Sequence, residues 1–136
     1  MAYDLTFSLL DLFGDGDQQE TAEAIGDMVN ALALIDARWL RARPAAPLLY
    51  QAGLRYQPEP PGQERWQNVA AVLARRTFFD CEDICAWRLA ELRIRGIDVR
   101  PYVTWSRLPN GEDLYHVRVL WPDGRIEDPS RVLGMP

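Results

Sequence analysis

The sequence predicts an α+β fold, with helices in the first part of the chain and an antiparallel meander in the second. Three observations carry this expectation. Apolar residues recur at three- and four-residue steps between Asp17 and Arg43, and again after Cys81, which is the spacing of a helix face. From Ile97 onward the period changes to two, with Val99, Pro101, Val103 and Trp105 alternating against Arg100, Tyr102 and Thr104. Pro109-Asn110-Gly111 and Pro122-Asp123-Gly124 then read as the turns of the meander. The 136 residues suit a single domain, 1–136, with an N-terminal helical region at 1–43 and a core at 44–136.

Taken in order, the elements begin with an apolar lead-in, Leu5–Phe13, which ends in the turn-prone Gly14-Asp15-Gly16-Asp17. That acidic run lacks the alternating ligands and closing glutamate of an EF-hand, so it reads as a turn and a helix cap. A long helix follows from Asp17 to Arg43, with Ala24, Met28, Ala31, Leu32, Ile35, Trp39 and Leu40 as its apolar stripe. Pro44 ends it, and Ala45-Ala46-Pro47 is an extended linker. Leu48–Tyr56 reads as a short extended segment bent at Gly53, and Pro58–Gly62 as a rigid loop. A second helix is expected from Gln63 to Arg76, with Trp66, Val69, Val72 and Leu73 inward. A third opens at Asp80, a good capping residue, has Glu82 and Asp83 in its first turn, and stops at Gly96. Its inward residues are Ile84, Cys85, Leu89 and Leu92. Strands are expected at Ile97–Arg107, Asp113–Trp121 and Arg125–Asp128, followed by a closing coil, Pro129–Pro136.

Composition excludes several classes. The formal net charge is −5 and the arginines are scattered, so no nucleic-acid partner is expected. No stretch approaches the ~20 apolar residues of a membrane span, and the start of the chain carries Asp4 and no basic residue, unlike a secretory signal. Cys81 and Cys85 stand one helical turn apart, a poor geometry for a disulfide, which suggests reduced thiols in the cytoplasm. Two cysteines and one histidine do not form a recognisable zinc site, so no metal or other cofactor is expected.

The chemistry concentrates on three residues. A thiol at the first turn of a helix faces unpaired backbone N–H groups and the positive end of the dipole, which favour thiolate. Glu82 and Asp83 oppose that shift. His116, the single histidine, follows on the expected second strand, in phase with Leu114, Arg118 and Leu120, and Asp128 ends the third. Cys81, His116 and Asp128 in that order can act as nucleophile, base and orienting acid. Asp128 before Pro129 also suits a turn, Glu127 is the alternative orienter, and Cys85 reads as a core thiol. Trp87, Trp105 and Trp121 read as core.

Three patches, Asp80-Cys81-Glu82-Asp83-Ile84-Cys85, Tyr115-His116-Val117-Arg118-Val119 and Gly124-Arg125-Ile126-Glu127-Asp128-Pro129, resemble the transglutaminase-like, broadly papain-like, cysteine-protein superfamily. They span roughly Trp66 to Leu133, and the cysteine patch looks like that of small bacterial and phage members. The resemblance implies a cysteine helix packed on an antiparallel sheet and acyl transfer by Cys81, His116 and Asp128 on a peptide or protein amide. The Cys81 N–H would supply one oxyanion donor and Trp66, Gln67 or Asn68 the second; spacing does not choose among them. Family members usually carry glycine just before the Asp-Cys pair, where this chain has Phe79. The alternative is a structural or adaptor protein, in a virion or another assembly, that keeps the fold with little chemistry. In either setting part of the region from Met1 to about Arg43 is expected to contact another copy or a larger assembly, the alternative being that it wraps the core as its outer layer.

Overall fold

The structure, a computed structural model, describes residues 4–7, 17–60 and 64–136. Strand β1 (Asp4–Phe7) is followed by α1 (Gln18–Arg41), a short 3-10 turn (Leu49–Gln51), β2 (Glu64–Gln67), α2 (Val69–Arg75) and α3 (Cys81–Ile94). Then come β3 (Arg100–Arg107), β4 (Asp113–Leu120), β5 (Ile126–Glu127) and α4 (Pro129–Val132). The α+β class is as expected: a long N-terminal helix, and the Cys81 helix packed on a three-stranded antiparallel sheet in the order β3-β4-β5. The two turns of the meander use Gly111 and Gly124, each at φ +87°, a backbone region that side chains with a Cβ enter only at a cost.

Helix α3 is the centre of the molecule. From Cys81 to Leu92 every residue but Arg88 is buried, so this helix has no solvent face to read as a stripe. One side joins a core in which Cys85, Leu89 and Leu92 meet Ile25, Val29 and Leu32 of α1 and Val117 and Val119 of β4. The other joins a second core, where Ile84 and Trp87 meet Leu49, Leu54, Val69, Val72, Phe79 and Leu133. Fully burying an aliphatic side chain contributes about 1.5–3 kcal/mol, so two cores around one helix fix its position strongly.

The structure corrects several expectations. Glu64–Gln67 is not helical: it pairs antiparallel with Asp4–Phe7, Leu5 opposite Trp66, and the helix begins only at Val69. Asn68 caps α2 by accepting from the Ala71 N–H at 3.0 Å. The buried face of α1 is Thr21, Ala22, Ile25, Val29, Leu32, Ala33, Asp36 and Ala37, rotated from the expected stripe, and Ile35 is 38% exposed. Asp36 lies inside because the Val69 N–H needs an acceptor there, at 2.8 Å, and a polar residue on the inner face hid the true period. Helix α1 covers α3 and β3, where Gly26 lies close to Pro101 and Val103. Trp105 is 40% exposed rather than core, because it lines a groove of about 720 Å³ between the start of α1 and β3. Trp87 is buried as expected. Leu49–Gln51 is a 3-10 turn rather than extended, and the bend at Gly53 has φ +72°. The tail forms α4, where a coil was expected, with Leu133 buried behind it. The Gly14-Asp15-Gly16 turn and most of the apolar lead-in lie outside the described residues.

Candidate functional site

The approach to α3 is a tight turn. Arg76 ends α2 in the left-handed region at φ +56°, and Phe78 follows at φ +51°. Such a conformation costs a non-glycine residue roughly 1–2 kcal/mol. It is held by two hydrogen bonds, from the Phe78 N–H to Gln57 Oε1 at 2.9 Å and from Gln67 Nε2 to the Phe78 carbonyl at 2.8 Å. Phe79 then anchors the segment in the second core, on the opposite side of α3 from the core that contains Cys81. Asp80 occupies the N-cap position as expected, but its side chain makes no capping hydrogen bond.

The sulfur of Cys81 meets the open edge of β4. The Trp121 N–H bonds the Arg125 carbonyl on the β5 side at 2.8 Å, and alternate residues of a strand direct their N–H groups to the same edge. The Val117 N–H therefore faces that edge, beyond the reach of β5, which pairs only with Val119 and Leu120. There the Val117 amide favours the charged form of the Cys81 sulfur. One turn deeper, Cys85 is fully buried and donates to the Arg118 carbonyl at 3.4 Å, the core thiol that its position suggested.

His116 precedes Val117 and stands on the other face of β4, in phase with the exposed Leu114. Its Nε2 lies 2.9 Å from Asp128 Oδ2, and the two side chains are 22% and 18% exposed. With Nε2–H donating to the carboxylate, Nδ1 is the ring nitrogen left to accept a proton. Asp128 is both this partner and the cap of α4, taking the Arg131 N–H on Oδ1 at 3.3 Å. Glu127 is engaged elsewhere: Arg88 reaches it at 2.6 and 3.3 Å, Trp121 Nε1 donates at 3.1 Å, and the Tyr50 hydroxyl donates to it. These donors hold the Glu127 carboxyl below its usual range although it is half-buried.

The three candidate oxyanion residues lie at the end of β2 and the start of α2. Trp66 Nε1 donates to Glu64 at 3.4 Å, the Gln67 side-chain amide to Phe78, and Asn68 serves as the α2 cap. The Gln67 backbone N–H donates to Asp83 Oδ1 at 2.6 Å, which ties β2 to the first turn of α3.

Carboxyl groups dominate the electrostatics around Cys81. Burial, then Glu82 and Asp80, push its thiol well above the usual range, against the opposing Val117 N–H. Burial likewise raises Asp80, and it raises Glu82 and Asp83 far above ordinary carboxyl values. Glu59 is raised to about 8, by burial and then by Asp80. Tyr56, which the sequence did not single out, is pushed up to about 12 by burial and then by charges at Cys81, Asp80, Glu82 and Asp128 around it. The Tyr56 N–H bonds the Leu133 carbonyl at 2.9 Å. Glu59, Glu64 and Tyr56 have no motif around them; their loop and strand reach α3 only in three dimensions.

No family model, curated protein or solved structure matches this chain. Among the described residues, no helix is long and apolar enough to cross a membrane.

Proposed function

We propose that the chain is a cysteine-nucleophile acyl-transfer enzyme, a peptidase, amidase or transglutaminase of the transglutaminase-like type, acting on a peptide or protein amide. The observation that carries this reading is the 2.9 Å contact between His116 Nε2 and Asp128 Oδ2, in a chain whose Cys81 is the first residue of a helix. In this mechanism Cys81 Sγ attacks the amide carbonyl carbon while His116 Nδ1 takes the thiol proton. Asp128 holds the imidazole in the tautomer that can accept, and steadies the imidazolium that forms. The first backbone N–H groups of α3 lack intrahelical partners, and in this mechanism that of Cys81 stabilises the negative charge that develops on the carbonyl oxygen. Collapse of the tetrahedral intermediate expels the amine with the proton from His116 and leaves a thioester. Water then gives hydrolysis and an amine gives crosslinking. Phe79, where the family has glycine, does not crowd the thiol, since its ring is buried in the other core. The left-handed bend falls on Phe78 instead.

A second reading is favoured by one observation: Cys81 is only 6% exposed and flanked by acids, the surroundings of an unreactive thiol. It makes the chain a structural or adaptor protein of a virion or other assembly. The exposed Leu34 and Ile35 of α1 are then its contact with another subunit. Alkylation by iodoacetamide, followed residue by residue by mass spectrometry, separates the two. The enzyme reading expects rapid labelling of Cys81 over Cys85, slowed at least tenfold in His116→Ala. Slow labelling that ignores His116→Ala sinks it.

A further inference from the structure

Five carboxyl groups converge at the start of α3. Glu59, Asp80 and Asp83 form one set and Glu64, Asp80 and Glu82 another; within each, one oxygen per residue lies within 4.8 Å of the others. Asp80 belongs to both. Four of the oxygens, Glu59 Oε1, Asp80 Oδ1, Glu82 Oε2 and Asp83 Oδ2, are buried with no hydrogen-bond partner among the described residues. Glu82 and Asp83 are 6% and 1% exposed.

The surroundings offset this charge only in part: the Asp80 and Glu82 side chains bond each other, and the Asp80 and Glu82 N–H groups favour the charged form of Asp80. The Gln67 N–H meets Asp83 at 2.6 Å, the Arg65 N–H meets Glu59 at 2.6 Å, and the Trp66 indole meets Glu64 at 3.4 Å. The Arg65 guanidinium favours the charged form of Glu59 from nearby. None of the ion pairs among the described residues reaches any of the five. Positions 1–3, 8–16 and 61–63, which the structure does not describe, carry no lysine, arginine or histidine. Buried carboxyls either ionise against a cation or take up protons.

We propose that these carboxylates bind a divalent metal ion of the hard, oxygen-preferring kind, with calcium as the best fit and Asp80 as the shared ligand. The donor set holds no nitrogen or sulfur, which disfavours zinc and copper. The ligands come from the loop at Glu59, from β2 and from the α3 start, so the site is assembled by the tertiary fold. Calcium accepts six to eight oxygens in irregular geometry, whereas magnesium demands a near-ideal octahedron and keeps several waters. The rival explanation is shared protons, with Asp80 and Glu82 bonded to each other as neutral acid and acid anion. A bound cation would also fasten β2 to α3, which the Gln67–Asp83 hydrogen bond already joins there.

The full chain, stripped with chelator, is titrated with calcium by calorimetry, and separately with terbium, whose luminescence the nearby Trp66 sensitises. Saturable binding, a Tm raised by several degrees in millimolar calcium, and affinity at least tenfold weaker in Glu64→Gln and in Glu82→Gln are expected, with both variants folded by circular dichroism. Absence of heat, luminescence and Tm shift up to ten millimolar calcium, magnesium or manganese overturns the proposal. So does binding that both variants leave intact. Variants more stable than the parent with or without metal, and no binding by the parent, identify shared protons instead.

Discussion

Helices α1 and α3 both begin with an aspartate, and the two aspartates behave in opposite ways. Asp17 is exposed, and its carboxylate accepts the Glu20 N–H at 2.8 Å, the ordinary use of an N-cap. Asp80 stands in the same position before a similarly acidic first turn, yet makes no side-chain capping bond, and one of its oxygens is buried without a partner among the described residues. Helix α1 is therefore closed at its start by its own sequence. Helix α3 is held at its start by what surrounds it: the Phe79 anchor, the Gln67–Asp83 bond and the Val117 edge. A helix end released from capping is free to present its first residues to other partners, and this one presents Cys81 and three carboxyls.

The comparison can be broken first at Phe79. If packing rather than capping sets the α3 start, Phe79→Ala costs about 3–5 kcal/mol in urea unfolding, the range for deleting a buried aromatic. A loss below ~1 kcal/mol would place the anchor elsewhere.

A smaller effect concerns Asp36, the buried acid of α1 that reaches toward α2. Burial raises its pKa to about 8, against the lowering effect of the Val69 N–H. The folded state then binds a proton that the unfolded state releases above about pH 4. Stability from this group is therefore fullest below pH 4 and declines as pH rises toward 8. Asp36→Asn keeps the acceptor and removes the titration. Between pH 5 and 8 the parent should lose on the order of 3 kcal/mol more than the variant. Parallel stability–pH curves for the two proteins would refute the assignment.

The smallest effect tests the caps directly. Asp17→Ala should cost about 1 kcal/mol, the usual value of a lost N-cap. Asp80→Ala, in chelator, should cost less than that or stabilise, since it removes a buried carboxyl and no capping bond. Equal losses at the two positions would erase the distinction between the helix starts.

The same contrast explains what could be read from the sequence. The meander was legible because alternation and the turns at Gly111 and Gly124 are local signals. The α3 boundaries were legible from Asp80, the acidic first turn and Gly96. The pairing of His116 with Asp128 was anticipated from order and spacing, and the two meet at 2.9 Å. Strand β2 was read as helix because its partner, Asp4–Phe7, is distant in the chain and four residues carry no period of their own. The inner face of α1 was misread because Asp36 and Thr21 are buried polar residues among apolar ones. The gathering of Glu59 and Glu64 around Asp80 was invisible, because no spacing in a linear chain encodes where a loop and a strand will meet a helix.

The clamp on Glu127 makes the protein optically addressable. Trp121 donates its indole N–H to that carboxylate at 3.1 Å and carries the Arg125 guanidinium 4.3 Å over its ring. An indole between an anion and a cation has emission set by both, and Glu127 is the covalent neighbour of Asp128. The difference spectrum between the parent and Trp121→Phe is thus a built-in gauge of that corner of the fold, readable in solution without attaching any dye.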